Sequence, residues 1–164
     1  MTSIMDYMEN VLLRQFSEED QEALYELHIA GLEQTNSLIS GEAREVLDQD
    51  LKNICNTYIH NNGEFLVAKT DNKIVGIGGL KKVDKETAEI KRMRVEEISQ
   101  GKGIGSLILD KLIERAHELG YKKLILDTST TQIPAHRLYE SRGFREYKRE
   151  PVYGQETIFY KRDI

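Results

Sequence analysis

The stretch SQGKGIGS, positions 99–106, contains the residues most clearly arranged for binding chemistry. Three glycines alternate with Lys102 and Ile104 immediately before a helical apolar pattern. Glycine weakens regular structure, so this density indicates a loop selected for its backbone geometry. Exposed amides at a helix N-terminus, reinforced by the helix dipole, favour an anion such as phosphate. The stretch therefore predicts a phosphate-binding loop, with a tight turn that binds no ligand as the alternative.

The spacing of these glycines argues against two familiar nucleotide-binding loops. The P-loop pattern G-x-x-x-x-G-K-[ST] needs glycine at position 96, where Glu96 stands. The dinucleotide fingerprint G-x-G-x-x-G needs glycine at position 106, where Ser106 stands. The loop alone therefore does not identify its ligand.

A second motif, QIPAHRLYESRGF at positions 132–144, follows the glycine loop after one predicted helix and one predicted strand. It resembles N-x-x-A-x-x-L-Y-x-x-x-G-F of the GNAT superfamily of acetyl-CoA-dependent N-acetyltransferases, with Gln132 where asparagine is common. QGKGIG, positions 100–105, is similar to the superfamily's [Q/R]-x-x-G-x-[G/A] motif. Two motifs at this separation, in the right order of elements, extend the resemblance over nearly the whole chain.

This resemblance implies that the ligand is acetyl-CoA. The loop amides would hold the CoA pyrophosphate, and the strand segment 93–95 would hydrogen-bond the pantetheine arm. A local parting of that strand from the strand KKLILDTS would admit the arm. Lys102 would either face the phosphates or remain solvated. The implied cofactor-binding residues are Met93, Arg94, Val95, Gln100, Gly101, Lys102, Gly103, Ile104, Gly105, Ser106, Gln132 and Tyr139.

Acetylation of an amine needs two proton transfers, for which Tyr139 and Glu89 are the candidate catalytic residues. A phenol with a pKa of about 10 stays protonated at neutral pH and can donate to the departing CoA thiolate. The resemblance places Tyr139 at the usual general-acid tyrosine, whereas simple packing on the sheet is the alternative. Glu89 corresponds to a strand glutamate that serves as base in some members. A salt bridge of Glu89 is the alternative, and many members use only a chain of waters.

Side-chain alternation along the strand TAEIKRMRV predicts which groups accompany the candidate base. Neither face of this strand is wholly apolar, which suits a strand that borders a site. Unless a bulge intervenes, one face carries Glu89, Lys91 and Met93 and the other carries Ile90, Arg92 and Arg94.

A covalent acetyl-enzyme is not expected from the nucleophiles that the sequence offers. Cys55 is the single cysteine, has no flanking histidine and falls in a predicted helix. The scattered histidines, of which His136 is nearest to a motif, are expected to have structural or surface roles. We therefore predict direct transfer in a ternary complex, with a primary amine of a small molecule or peptide as acceptor.

The resemblance locates acceptor specificity in two variable segments, 34–42 and 150–156. Tyr153, in the second segment, is a candidate for lining an acceptor pocket. An acidic run that includes Glu42, Glu45 and Asp48 would attract a cationic amine, although such a run is more often a solvated face.

Apolar periodicity and turn residues predict the element order β-α-α-β-β-β-α-β-α-β-β. A β-α-β unit in the middle and antiparallel hairpins towards the ends predict an α/β (α+β) fold, GNAT-like, with helices on both faces of a mixed sheet. Predicted strands cover 11–16, 64–69, 73–80, 87–95, 122–129, 144–150 and 156–163, and predicted helices begin at 17, pass through 46–58, and cover 103–120 and 133–143.

Length and charge limit the remaining possibilities. The chain has 164 residues, the size of one ordinary domain, so residues 1–164 are predicted to form a single N-acetyltransferase domain. A net charge of −5 argues against a nucleic-acid partner. No Cys/His spacing predicts a metal site, and no apolar run reaches the ~18 residues of a membrane span. The acidic N-terminus does not resemble a signal peptide, so we expect a cytoplasmic protein, with a homodimer possible.

Two other functions compete with catalysis. One is a non-catalytic acyl-CoA-binding module that acts as a sensor or partner protein, against which Tyr139 and Glu89 speak. The other is an unrelated phosphate-loop protein such as a nucleotide binder.

Overall fold

Seven strands form one mixed sheet in the computed structural model, which describes residues 3–36, 38–39 and 41–164. The strands are β1 (Leu12–Gln15), β2 (Glu64–Thr70), β3 (Lys73–Lys82), β4 (Thr87–Val95), β5 (Lys123–Ser129), β6 (Arg145–Val152) and β7 (Gln155–Asp163). The α-helices are α1 (Ile4–Glu9), α2 (Gln21–Gln34), α3 (Glu42–Leu47), α4 (Ile104–Glu118) and α5 (Ile133–Ser141).

The order of strands across the sheet is β1-β2-β3-β4-β5-β7-β6. Among the seven described strands, only β4 and β5 pair in parallel, as the connection through α4 allows, and the other neighbours are antiparallel. Two-residue turns join β2 to β3 at Asp71 and Asn72 and β6 to β7 at Tyr153 and Gly154. All four turn residues have positive φ, which suits the right-handed twist of hairpin strands. The predicted mixed sheet and hairpins are confirmed.

Alternation along β2 divides the core between the two faces of the sheet. Leu66 and Ala68 join one buried cluster, which includes the apolar face of α4. Phe65 and Val67 join a second cluster with Leu24 of α2 and a π-helical turn, Cys55–Ile59. Helices therefore cover both faces, as predicted. Among the described helices, none combines the length and apolar character that a membrane span needs.

Two helical predictions differ from the structure. The short helix α1 was not predicted, although a capping box of Ser3 and Asp6 marks its start. The predicted second helix is interrupted after Leu47, whose carbonyl accepts a 2.6 Å hydrogen bond from Arg92 Nη2. Asp50, in the interruption, also binds Arg92, so tertiary ion pairing replaces the helix here.

Strand β4 contains a bulge close to its C-terminal end. Lys91 lies opposite Gly79, and Arg94 lies opposite Ile77, so three steps along β4 match two along β3. Arg92 has a φ of 59°, a left-handed conformation that accommodates the extra residue.

The bulge reverses the faces of the residues that follow it, so the alternation expected of a regular strand does not hold beyond this point. Met93 packs with Ile90 in the cluster on the α4 side. Arg92 and Arg94 instead lie on the α2 side, where Arg94 rests against Gly31. The bulge therefore places two arginines where alternation would have placed one methionine.

Candidate functional site

The parallel pair β4–β5 separates halfway along its length. Its last paired residues are Glu89 and Ile125, yet β4 continues to Val95 and β5 continues to Ser129. Each strand stays paired with its outer neighbour beyond that point. The sheet is thus split at its centre, and the inner edge of β4 is free of β5 over the segment 93–95. The parting that the sequence led us to expect is present.

A cavity of about 670 Å³ lies at this split. Its walls come from the end of β4, the glycine loop, the start of α4, the C-terminal end of α2 and helix α5. Eleven of the twelve predicted cofactor-binding residues line it, namely Met93, Arg94, Val95, Gln100, Gly101, Gly103, Ile104, Gly105, Ser106, Gln132 and Tyr139. Lys102 does not, because its ammonium lies over the Tyr7 ring, 4.4 Å from the ring centroid.

The glycine loop has a backbone that other residues would strain. Gly101 and Gly103 have φ angles of 75° and 95°, in the left-handed region that glycine adopts at little cost. Gly103 is the N-cap of α4, and the first intrahelical bond runs from Leu107 N–H to its carbonyl. The amides of residues 104–106 therefore have no acceptor within the helix, which leaves donors for an anion at the cavity wall.

Tyr139 is positioned in the cavity wall by packing and not by hydrogen bonding. Its side chain is buried, and its ring contacts Phe144 and Tyr160 at centroid distances of 6.0 and 6.2 Å. Within the described part of the chain, its hydroxyl has no hydrogen-bond partner. Burial raises the pKa of this phenol well above its usual value, an effect that the charge of Arg94 opposes. The group is therefore a protonated donor without a partner, as a general acid should be.

Glu89 lies at the point where the strands separate, and it does not line the cavity. Burial raises the pKa of its carboxyl, Lys91 opposes this rise, and the charge of Asp127 adds to it. Among the described residues it forms no salt bridge, so the structural alternative considered for Glu89 is not realised. A half-buried carboxyl with a raised pKa is suited to accept a proton near neutral pH.

Asp127 is a second candidate base that sequence reasoning missed. It lies on β5, two residues beyond the last pair with β4, and its charge influences both Glu89 and Tyr139. Its side chain is exposed at the surface. The neighbouring protein nevertheless removes part of the water around the carboxyl, and this raises its pKa. The signal available in the sequence was an aspartate at the open end of a central strand.

A buried ion network lies beside the site on the α2 side. Asp48 is fully buried and accepts hydrogen bonds from His28 Nε2 at 3.0 Å and Tyr25 Oη at 3.1 Å. Arg44 adds a contact of 3.2 Å to the same carboxylate. Burial lowers the pKa of His28 to about 4, so this imidazole is neutral. Asp48 is therefore a structural anion, which corrects the view of it as part of a solvated acidic face.

The two segments predicted to set acceptor specificity differ in their relation to the cavity. Gln34, Thr35 and Asn36 line it, whereas Ser37 and Ser40 of the same segment lie outside the described residues. Tyr153 occupies the tip of the β6–β7 hairpin, is 66% exposed and does not line the cavity. The second segment is mostly strand, because β6 and β7 extend to within two residues of each other.

The nucleophiles and histidines lie where structural roles place them. The Cys55 thiol is 3.4 Å from a Glu18 carboxylate oxygen and outside the cavity wall, and burial raises its pKa. His136, the histidine nearest to a motif, has its Nε2 2.8 Å from the Ser129 carbonyl oxygen. Neither residue is arranged to attack a thioester.

Comparison with known proteins agrees with this geometry. The model of the acetyltransferase (GNAT) family matches residues 6–144, and the chain belongs to this family. Human N-acetyltransferase 8B is 33% identical over 106 residues, which are 61% of this chain and 47% of the human protein. The chain thus spans about half the length of the curated relatives it matches.

Solved structures show the same architecture. A GNAT-family acetyltransferase from Staphylococcus aureus Mu50 has a TM-score of 0.83 and 26% identity, covering 93% of this chain and 98% of the other. A GNAT-family acetyltransferase from Elizabethkingia anophelis, solved with acetyl-CoA bound, has a TM-score of 0.68 and 24% identity, covering 95% and 99%. The predicted fold class is confirmed.

Proposed function

We propose that residues 1–164 act as one N-acetyltransferase domain that moves an acetyl group from acetyl-CoA to a primary amine by direct attack in a ternary complex. The observation that carries this proposal is one cavity lined by the glycine loop, the free edge of β4 and Tyr139. Membership of the family and the acetyl-CoA bound to the Elizabethkingia protein support the same cosubstrate.

The cavity provides for the two ends of acetyl-CoA separately. The unbonded amides of residues 104–106 and the left-handed turn at Gly101 and Gly103 suit the pyrophosphate. The free edge of β4 at 93–95 offers backbone donors and acceptors to the pantetheine amides. Acetyl-CoA supplies the activated acetyl thioester when bound.

In this proposal, the chain's own residues manage two protons. Glu89, directly or through a water, accepts the proton that the amine must lose as its nitrogen bonds to the acetyl carbon. Tyr139 donates its hydroxyl proton to the sulfur as the carbon–sulfur bond breaks. Asp127 is the second carboxylate that could take up the first proton.

The test is release of free thiol from acetyl-CoA across a library of primary amines, with thermal shifts by CoA, ATP and NAD measured in parallel. We expect turnover of at least one amine class and stabilisation by CoA. Stabilisation by ATP or NAD without CoA would contradict the proposal. Stabilisation by CoA without turnover of any amine would instead favour the acyl-CoA-binding module.

A further inference from the structure

In the part of the chain that the structure describes, the Arg94 guanidinium at the cavity wall has no hydrogen-bond or ion-pair partner. It lines the cavity, and its Nε is buried without a hydrogen-bond acceptor. Among residues 3–36, 38–39 and 41–164, no carboxylate forms an ion pair with it. Burying an arginine beside other positive charge is unfavourable unless an anion compensates it.

The nearest structural anion cannot provide that compensation. Asp48 is the carboxylate whose charge reaches Arg94, but its oxygens already accept bonds from His28, Tyr25 and Arg44. Arg92 adds a contact to Asp48 at 3.6 Å. The positive charge of Arg94 is therefore left for something that enters the cavity.

Gly31 shows that the position of Arg94 is built into the fold. Glycine within a helix such as α2 is less stable than alanine. A Cβ at Gly31 would lie 2.9 Å from Arg94 Cδ and 3.4 Å from its Nε, so alanine would displace the side chain. The helix thus carries its glycine where the arginine needs space.

The charges around Tyr139 have an order that a zwitterion would match. Tyr139 experiences the positive charge of Arg94 and the negative charge of Asp127. An acceptor could place its amine near the carboxylate of Asp127 and an anionic group near Arg94, on the α2 side. Each charge would then face a group of the opposite sign.

We propose that the acceptor is an amino acid or a similar amine that bears a carboxylate, and that Arg94 binds this carboxylate. Guanidinium binds carboxylate with two parallel hydrogen bonds, which would also orient the amine. This inference rests on the proposed acetyltransferase function and deepens it by naming the class of acceptor.

The experiment compares kcat/KM for matched pairs, each an amino acid and the amine that lacks only its carboxylate. We expect the wild-type protein to prefer the carboxylate-bearing member roughly 10- to 150-fold, the range for hydrogen bonds to a charged group. Arg94→Gln should reduce this ratio to about one, because kcat/KM falls for the carboxylate-bearing member of each pair. Arg94→Lys should retain part of the ratio, and Gly31→Ala should lower it by displacing the arginine.

Several results would overturn the assignment. A wild-type ratio near one, or an unchanged ratio in Arg94→Gln, excludes carboxylate binding by Arg94. An equal rise in KM for acetyl-CoA with every amine would place Arg94 on the cosubstrate instead. If no amine turns over, the proposed function fails, and calorimetric binding of the same pairs to the CoA complex still decides between binding and no binding of the carboxylate.

Discussion

Replacing Tyr139 with phenylalanine separates catalysis from stability in this protein. The substitution keeps the ring and its contacts with Phe144 and Tyr160. The lost hydroxyl has no hydrogen-bond partner among the described residues, so the free energy of unfolding should change by less than about 0.5 kcal/mol. General acid catalysis contributes about 10²- to 10⁴-fold, so kcat should fall by that factor, or about 2.7–5.5 kcal/mol in barrier.

Tyr160 provides the matched control, because its hydroxyl is expected to contribute to stability and not to catalysis. Its hydroxyl donates to Glu140 Oε1 at 3.0 Å. Tyr160→Phe should therefore lower the free energy of unfolding by about 0.5–1.5 kcal/mol and leave kcat unchanged. Urea denaturation measures the first quantity, and thiol release at saturating substrates measures the second.

The pH profile adds a check on the same residue. Because burial raises the pKa of Tyr139 well above its usual value, it should stay protonated and cause no loss of rate below about pH 10. Tyr139→Phe turning over within threefold of wild type would refute the acid assignment. Equal losses of activity in Tyr139→Phe and Tyr160→Phe would show that the loss is not specific to proton donation by Tyr139.

Three further substitutions, one of them with a matched control, test other parts of the structure. Glu89→Gln should lower kcat/KM at neutral pH. In the wild-type protein, activity should fall as the pH drops through the raised pKa of this carboxyl, and the substitution should remove that fall. A pH–rate profile that keeps its acidic limb in the variant would favour Asp127 as the base. Gly103→Ala, at a φ of 95°, should lower the free energy of unfolding by about 1–2 kcal/mol and raise KM for acetyl-CoA. The control is Gly120→Ala, at a φ of 86° outside the cavity, which should lower the free energy of unfolding by a similar amount without changing KM. Arg92→Leu should cost about 3 kcal/mol in urea unfolding because it leaves Asp50 without the arginine that binds it, and a loss below 1 kcal/mol would contradict that role.

The sequence predicted those elements of the fold that depend on residues close together in the chain. The turn residues Asp71 and Asn72, the apolar face of α4 and the left-handed Gly120 after it all behave as their types predict. The second predicted helix failed because apolar spacing cannot register a carbonyl and a carboxylate that bind an arginine some forty residues away. Only long-range pairing could reveal that interruption.

The candidate site divides in the same way. Motif spacing led to the glycine loop and to Tyr139, and the structure brings both to one cavity. Asp127 and the unpaired side chain of Arg94 were missed, since neither has a distinctive local pattern. Their electrostatic environment is set by neighbours on other strands and helices, which a local sequence pattern does not reveal.

The sequence by itself determined the order of elements, the hairpin turns and the loop at Gly101 and Gly103, because each depends on residues a few positions apart. The tertiary structure decided where β4 leaves β5 and on which face Arg94 lies. A single bulged residue, Arg92, reverses every side chain after it, and whether a strand accommodates that residue depends on the strand beside it. The chemistry of the cavity therefore rests on a register that pairing across the sheet sets.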